Sequence, residues 1–252
     1  MRIASALQLF LPMITLAAGL ALPLHASEPV TLTASDGVKV YGDFYPAARE
    51  SAPYILLFHQ AGSNRAEYAP IAPRLVKLGF NCLAIDQRSG GDMFGQTNET
   101  VAHIGHNGDY LDALKDMEAA LAWARARNHD AKVLVWGSSY SASLVFLLTE
   151  KHPEGIAGIL SFSPGEYFAD KNAVHGAASH VSIPIFVTSA KDPEEIDAAK
   201  SILAASPSKQ KTQLIPRVAG VHGSSTLRED RDSKGADENW KAVDEFLATF
   251  RG

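Results

Sequence analysis

The segment from Val133 to Ala142 constrains the fold of this chain more than any other part of the sequence. Apolar, β-branched residues up to Trp136 predict a buried strand, and the apolar run over residues 142–149 predicts a buried helix. Between them, Gly-Ser-Ser-Tyr-Ser has the Gly-x-Ser-x-small spacing of a sharp strand-to-helix turn. Its central residue, Ser139, would stand exposed at the end of the strand, where the helix N-terminus favours negative charge. The turn therefore predicts an α/β fold that carries a nucleophilic serine.

Two further serines flank the predicted nucleophile. Ser138 precedes Ser139, and Ser141 occupies the last position of the pattern, where glycine is usual. We interpret both as packing or hydrogen-bonding residues of the turn.

Apolar runs of strand length alternate with amphipathic helical segments along most of the chain. We expect strands over residues 54–58, 82–85, 132–136, 156–162 and 183–188, helices over 64–78, 110–126, 142–149, 194–205 and 239–250, a β-hairpin over 31–45 and a loop over 87–107. Strands that are apolar throughout are typical of a parallel sheet buried on both faces. The sequence therefore predicts a mostly parallel central sheet with helices on both faces.

A nucleophilic serine needs a base and a group that orients the base. Asp192 follows the strand over 183–188 and is the predicted acid, although Glu194 and Glu195 lie close behind it, where they fit the first turn of the next helix. His222 lies in a glycine-bearing loop after a later apolar segment and is the predicted base. Because ligands of such sheets bind beyond the C-terminal strand ends, we expect Ser139, Asp192 and His222 to form a triad.

Five motifs together resemble the α/β-hydrolase family, in particular small serine esterases and dienelactone-hydrolase-like proteins. They are Gly137-Ser138-Ser139-Tyr140-Ser141, Phe58-His59-Gln60-Ala61-Gly62, Asp86-Gln87-Arg88-Ser89-Gly90-Gly91, Lys191-Asp192 and Val221-His222-Gly223. The resemblance spans roughly residues 30–250, and serine stands where true dienelactone hydrolases carry cysteine. It implies an α/β-hydrolase fold without a large lid, because only about twenty residues separate the strands near Phe162 and Ile183.

The resemblance also implies roles for residues around the triad. Backbone N–H groups of Gln60 or Ala61, together with that of Tyr140, would form the oxyanion hole. Glu166 and Tyr167 follow another strand end and are candidates to line the substrate pocket. Arg88 would be structural.

The implied activity is hydrolysis of small carboxylic esters or related acyl bonds through an acyl-enzyme intermediate. A peptidase or acyltransferase using the same triad, and a non-catalytic binding protein on the same fold, are the alternatives. The expected partner is a small acyl substrate, and the sequence does not determine the oligomeric state.

Composition excludes some other classes of function. The net charge of −5 over 252 residues argues against nucleic-acid binding, which requires a basic face. Cys82 is the only cysteine, so an intrachain disulfide is excluded, and its apolar surroundings predict a core position. His103 and His106 lack a third ligand at a suitable spacing, so we expect no metal and no other cofactor.

The N-terminus has the pattern of a secretory signal peptide. Met1-Arg2 supplies a positive charge, an apolar run extends to Leu24, and Leu24-His25-Ala26 precedes the polar Ser27. We expect residues 1–26 to be removed, leaving one domain over 27–252 that is secreted or periplasmic and has no stable membrane association. An uncleaved membrane anchor is the alternative.

Overall fold

One eight-stranded sheet forms the centre of the protein. The structure, a computed structural model, describes residues 27–251. The strands are β1 (Glu28–Thr33), β2 (Lys39–Tyr45), β3 (Tyr54–Phe58), β4 (Asn81–Ile85), β5 (Val133–Ser138), β6 (Gly158–Phe162), β7 (Ile185–Thr188) and β8 (Lys211–Leu214). Their order across the sheet is β1-β2-β4-β3-β5-β6-β7-β8. Only the β1–β2 and β2–β4 pairs are antiparallel, which confirms the predicted mostly parallel sheet.

Helices cover both faces of this sheet. They are α1 (Ala72–Lys77), α2 (Glu99–Ile104), α3 (Ala113–Arg127), α4 (Tyr140–Lys151), α5 (Ala173–Ala178), α6 (Pro193–Ala205) and α7 (Ala236–Leu247). Alternate residues of β3 enter different apolar clusters: Leu56 belongs to the cluster that includes Met117 of α3, whereas Leu57 belongs to the cluster that includes Trp240 of α7. All of β3 is buried because each face of the sheet meets a helical layer.

The predicted helix over residues 64–78 is wrong as a single element. The structure has a 3₁₀ helix at Arg65–Tyr68 and then α1, which begins at Ala72. Pro70 lies between the two helical pieces and Pro73 lies in the first turn of α1, so neither supplies a backbone N–H for a helix that continues from Arg65.

The predicted loop over residues 87–107 contains α2. The Asn98 side chain accepts a hydrogen bond from the Val101 N–H at the start of α2, and Gly105 ends the helix at φ 79°. An N-cap asparagine and a C-terminal glycine are the sequence signals that identify this short helix.

Arg88 anchors the segment that follows β4. Its guanidinium lies 2.6 Å from Asp116 on α3 and 2.6 Å from Asp36 in the β1–β2 turn. A buried charge is stable only with such partners. Arg88 therefore has the structural position that the sequence predicted.

Residues 1–26, which hold the predicted signal peptide, lie outside the described part of the chain. None of the helices within residues 27–251 is long and apolar enough to cross a membrane.

Candidate active site

The turn between β5 and α4 holds Ser139 in a backbone conformation that few L-residues adopt, with φ 59° and ψ −122°. A Cβ at Gly137 would lie 2.2 Å from the backbone oxygen of Ser141, so only glycine fits there. The Ser141 hydroxyl is buried and donates to the His59 carbonyl at 2.6 Å, which accounts for serine at this position. The sequence thus folds locally into a strained turn that presents Ser139.

Ser139 and His222 meet as the sequence predicted. The Ser139 hydroxyl lies 2.8 Å from Nε2 of His222, close enough for direct proton transfer. His222 sits in the loop after β8, where the N–H of Gly223 donates to the Ser163 hydroxyl at 2.9 Å. The sheet brings together two residues that lie far apart in the chain because both follow carboxyl ends of strands.

Glu195, rather than Asp192, is the carboxylate that contacts the histidine. Its Oε1 lies 2.8 Å from Nδ1 of His222, and its Oε2 accepts the N–H of Ala190 at 3.0 Å. Asp192 is exposed and caps α6 by accepting the N–H groups of Glu194 and Glu195. The assignment of Asp192 as the residue that orients His222 is therefore wrong in its geometry.

The position at which α6 begins explains why Glu195, and not Asp192, contacts His222. The helix begins at Pro193, which makes Asp192 the N-cap and places Glu195 on the first turn. Side chains of a helix tilt toward its N-terminus, so Glu195 reaches back to the strand edge. An N-cap Asp with Glu three residues later has the capping-box spacing, which marks the start of the helix but does not show which carboxylate meets His222, since Glu195 accepts the N–H of Ala190.

Glu195 is held in its ionised form. Burial alone would raise its pKa, but hydrogen bonds with His222 and Ser163, the charge of His222 and the N–H of Ala190 outweigh burial and lower the pKa to about 2. An ionised carboxylate on Nδ1 keeps Nε2 free to accept the serine proton.

Of the three predicted oxyanion donors, one backbone N–H already has an acceptor in the protein and two do not. The Gln60 N–H donates to Glu67 at 2.9 Å and is therefore not available, which corrects that assignment. Within residues 27–251, neither the Ala61 N–H nor the Tyr140 N–H has an acceptor. These two amides are the groups left to bind an oxyanion.

The orientation of the Ala61 amide follows from His59. Nε2 of this buried histidine accepts the N–H of Gln87 at 2.9 Å, so Nδ1 carries the hydrogen and donates to the Gln60 carbonyl at 2.7 Å. Burial lowers the pKa of His59 and keeps the ring neutral. In a trans peptide the N–H points away from the carbonyl, so the Ala61 N–H is directed away from His59.

Two cavities lie in this region of the protein, although only the second has His222 in its lining and neither has Ser139. The first, of 480 Å³, is lined by Gly108, Asp109, Tyr110, Leu111, Asp112, Tyr167, Phe168 and Ala169. Tyr110 stacks on Tyr140, the residue after the nucleophile, with ring centroids 4.5 Å apart. The second, of 450 Å³, is lined by Gln60, Met93, Phe94, Val221, His222, Ser225 and Arg231.

The two predicted pocket residues differ in position. Tyr167 lines the first cavity, and its hydroxyl donates to the Ser163 carbonyl at 2.9 Å. Glu166 lies outside the lining of either cavity, because its carboxylate accepts the N–H groups of Val174 and His175 in α5. The structure therefore places Tyr167 in a pocket and uses Glu166 to hold a helix end.

The two histidines considered as metal ligands lie at the surface, His103 in the last turn of α2 and His106 just after the helix. His103 stacks on Tyr41 with ring centroids 4.5 Å apart, and His106 is exposed. Over residues 27–251, no group of three His, Cys, Asp or Glu side chains is placed to hold a metal ion.

A mostly parallel sheet with a serine turn after its fifth strand and a histidine loop after its last defines the α/β-hydrolase fold. A family model described as serine aminopeptidase, S33, matches residues 49–186, more than half of the chain. The chain belongs to this family of α/β-hydrolases.

Solved structures show the same fold. Dienelactone hydrolase from Anabaena variabilis has a TM-score of 0.70 at 16% identity, over 90% of this chain and 99% of that chain. An esterase from Pyrococcus furiosus has a TM-score of 0.66 at 18% identity, over 90% of this chain and 92% of that chain. A thermostable carboxyl esterase from Bacillus coagulans has a TM-score of 0.70 at 13% identity, over 89% of this chain and 99% of that chain. No curated protein sequence matches this chain.

Proposed function

We propose that this chain is a serine hydrolase that cleaves small carboxylic esters through an acyl-enzyme intermediate. The observation that carries the proposal is the unbroken chain of contacts from Ser139 through His222 to Glu195, with 2.8 Å at each step. A nucleophile, a base and an orienting carboxylate in this sequence are the requirements for acyl transfer by serine.

The reaction proceeds in two halves. His222 Nε2 takes the hydroxyl proton as Ser139 attacks the ester carbonyl, and the N–H groups of Ala61 and Tyr140 hold the oxyanion. The oxyanion collapses, the C–O bond to the alcohol breaks, and His222 returns its proton to the leaving alcohol. A water molecule then attacks the acyl-serine by the same route, which releases the carboxylic acid and restores Ser139.

The surroundings of the site favour small, soluble substrates. Only α5 lies within residues 163–184, between β6 and β7, so that segment has no inserted lid domain. The imidazole of His222 is 39% exposed, so solvent and small esters reach it directly. The cavity lined by His222 and the cavity lined by Tyr110 and Tyr167 would provide separate space for an acyl group and an alcohol.

The test uses purified protein of residues 27–252 and p-nitrophenyl esters of increasing acyl length. We expect Ser139→Ala to abolish turnover and labelling by a fluorophosphonate probe without loss of the fold. Ser179→Ala, at an exposed serine on the surface, is the matched control and keeps both activities. An aminoacyl p-nitroanilide distinguishes a peptidase: faster cleavage of that amide than of any ester contradicts the proposal, and absence of both activities favours a binding protein.

We also propose that residues 1–26 act as a signal peptide and that the domain works outside the cytoplasm. The support is the charge and hydropathy pattern of the sequence alone.

A further inference from the structure

One fully buried carboxylate beside the active site has no step in the proposed reaction. Glu67 lies in the 3₁₀ helix Arg65–Tyr68 and has no exposed surface. Its Oε1 accepts the Ser138 hydroxyl at 2.6 Å, and its Oε2 accepts the Gln60 N–H at 2.9 Å. One side chain thus joins the residue before the nucleophile to the residue before Ala61.

The same network includes the histidine loop. The Ser138 oxygen accepts the N–H of Ser224 at 2.9 Å, two residues after His222. Packing here is tight, because a Cβ at Gly223 would lie 2.4 Å from that oxygen. Glu67 therefore connects, directly or through one hydroxyl, the three segments that supply the nucleophile, the base and an oxyanion donor.

The charged groups that face Glu67 come from several elements. Arg228 donates to the backbone carbonyls of Ala66 and Glu67 at 3.1 and 2.9 Å. The other titratable neighbours of the Glu67 carboxylate are His222 and Tyr68. Burial raises the pKa of Glu67 to about 7, against the opposing effects of its hydrogen bonds and of the charges of Arg228 and His222. Both protonation states are therefore populated near neutral pH.

The two states differ in their hydrogen bonds. Ionised Glu67 accepts from both Ser138 and Gln60. A proton on Oε1 points at the Ser138 oxygen, and the hydroxyl hydrogen of Ser138 then loses its acceptor. An unsatisfied buried donor is costly, so protonation loosens the contact between the segments.

We propose that Glu67 is a positioning residue, whose ionised carboxylate fixes the Gln60–Ala61 peptide and the His222 loop against the nucleophile turn. The Ala61 and Tyr140 amides are thereby held where the oxyanion forms. This inference rests on the proposed ester hydrolysis, and it adds a second ionisation to the one that frees His222 as a base.

The test compares wild type with Glu67→Gln, which keeps the shape but cannot ionise. We expect kcat to fall on the order of tenfold and KM to stay within about twofold of the wild-type value. This decrease in kcat is smaller than the roughly 10²–10³-fold decrease that follows removal of an oxyanion donor. Inhibition by phenylboronic acid, which forms a tetrahedral adduct with serine, should weaken in parallel with kcat. Ser138→Ala removes the bridging hydroxyl and should lower kcat in the same direction.

The pH profile separates positioning from a merely structural role. On the acidic side, log kcat of the wild type should rise with a slope greater than 1, since His222 must lose a proton to act as a base and loss of the Glu67 proton adds about another factor of ten. In Glu67→Gln the slope should approach 1. Glu118→Gln, a carboxylate paired with Lys151 on the protein surface, is the matched control and should keep the wild-type kcat and slope.

The pH dependence of thermal unfolding reports the ionisation of Glu67 independently of catalysis. Folded Glu67 keeps its proton up to about pH 7, whereas the unfolded chain releases it near 4.5, so the wild-type Tm should fall as pH rises through that window. Glu67→Gln should lack this decrease.

Each failure has its own signature. If wild type turns over esters and Glu67→Gln matches it in kcat, slope and boronate affinity, the role of Glu67 is overturned while the proposed function stands. If wild type cleaves no ester at any pH, the proposed function fails and this inference fails with it.

Discussion

The carboxylate of Glu195 lies 2.8 Å from Nδ1 of His222, and the exposed Asp192 beside it serves only as the N-cap of α6. The two acidic residues are three positions apart, yet only one is oriented toward the imidazole. This division of roles makes the pair a sharp internal control for the proposed mechanism.

Glu195→Gln should lower kcat by about 10⁴, because loss of the orienting carboxylate leaves the imidazole in the wrong tautomer. Asp192→Asn should retain nearly all activity and nearly the same Tm, since asparagine caps a helix as well as aspartate does. Steady-state kinetics and thermal unfolding of both variants provide the measurement. A large loss in Asp192→Asn with normal activity in Glu195→Gln would reverse the assignment.

Glu195 should also contribute to acid stability. Its pKa is lowered from 4.5 to about 2, so the folded state releases a proton that the unfolded chain still binds in this range. The stabilisation is present above about pH 4.5 and is lost as pH falls toward 2. The Tm difference between wild type and Glu195→Gln should therefore be constant at neutral pH and shrink below 4.5. Glu194→Gln, on the exposed side of the same turn, should show no such trend.

Two glycine-to-alanine substitutions should change the free energy of unfolding in opposite directions. Gly137→Ala places a Cβ 2.2 Å from backbone and should destabilise the fold by about 3 kcal/mol or more. Gly176→Ala, inside α5 with its nearest contact at 3.9 Å, should stabilise the fold by about 0.5–1 kcal/mol. Urea unfolding of both proteins measures these changes. Equal stability of the two variants would mean that the strand and helix approach less closely at residue 137.

The mature protein should begin near Ser27. Intact-mass measurement of protein recovered from its native compartment tests this, with a chain that lacks residues 1–26 as the control that stays in the cytoplasm. A mass that retains those residues would instead favour a membrane anchor.

The positions of the main strands along the chain, their assembly into a mostly parallel sheet and the turn that presents Ser139 could all be predicted from the sequence. These features are local: the apolar run of β5, Gly137 and the apolar face of α4 are all encoded within about twenty residues. The predicted meeting of Ser139 and His222 follows from topology, because parallel strands end at one edge of the sheet. The break around Pro70 and the helix after Asn98 are also encoded by local signals, although the predicted elements do not include them.

The contacts between polar groups depend on the packing of the whole fold and could not be predicted from the sequence. Asp192 and Glu195 are equivalent candidates by spacing, and the start of α6 at Pro193 determines that the Glu195 side chain tilts back to His222. The Gln60 N–H is lost to Glu67, a residue whose burial depends on the packing of the nucleophile turn and the histidine loop around it. A hydrogen bond requires ångström-level placement of two side chains from distant elements, and such placement is set by the packing of the whole core rather than by any local pattern.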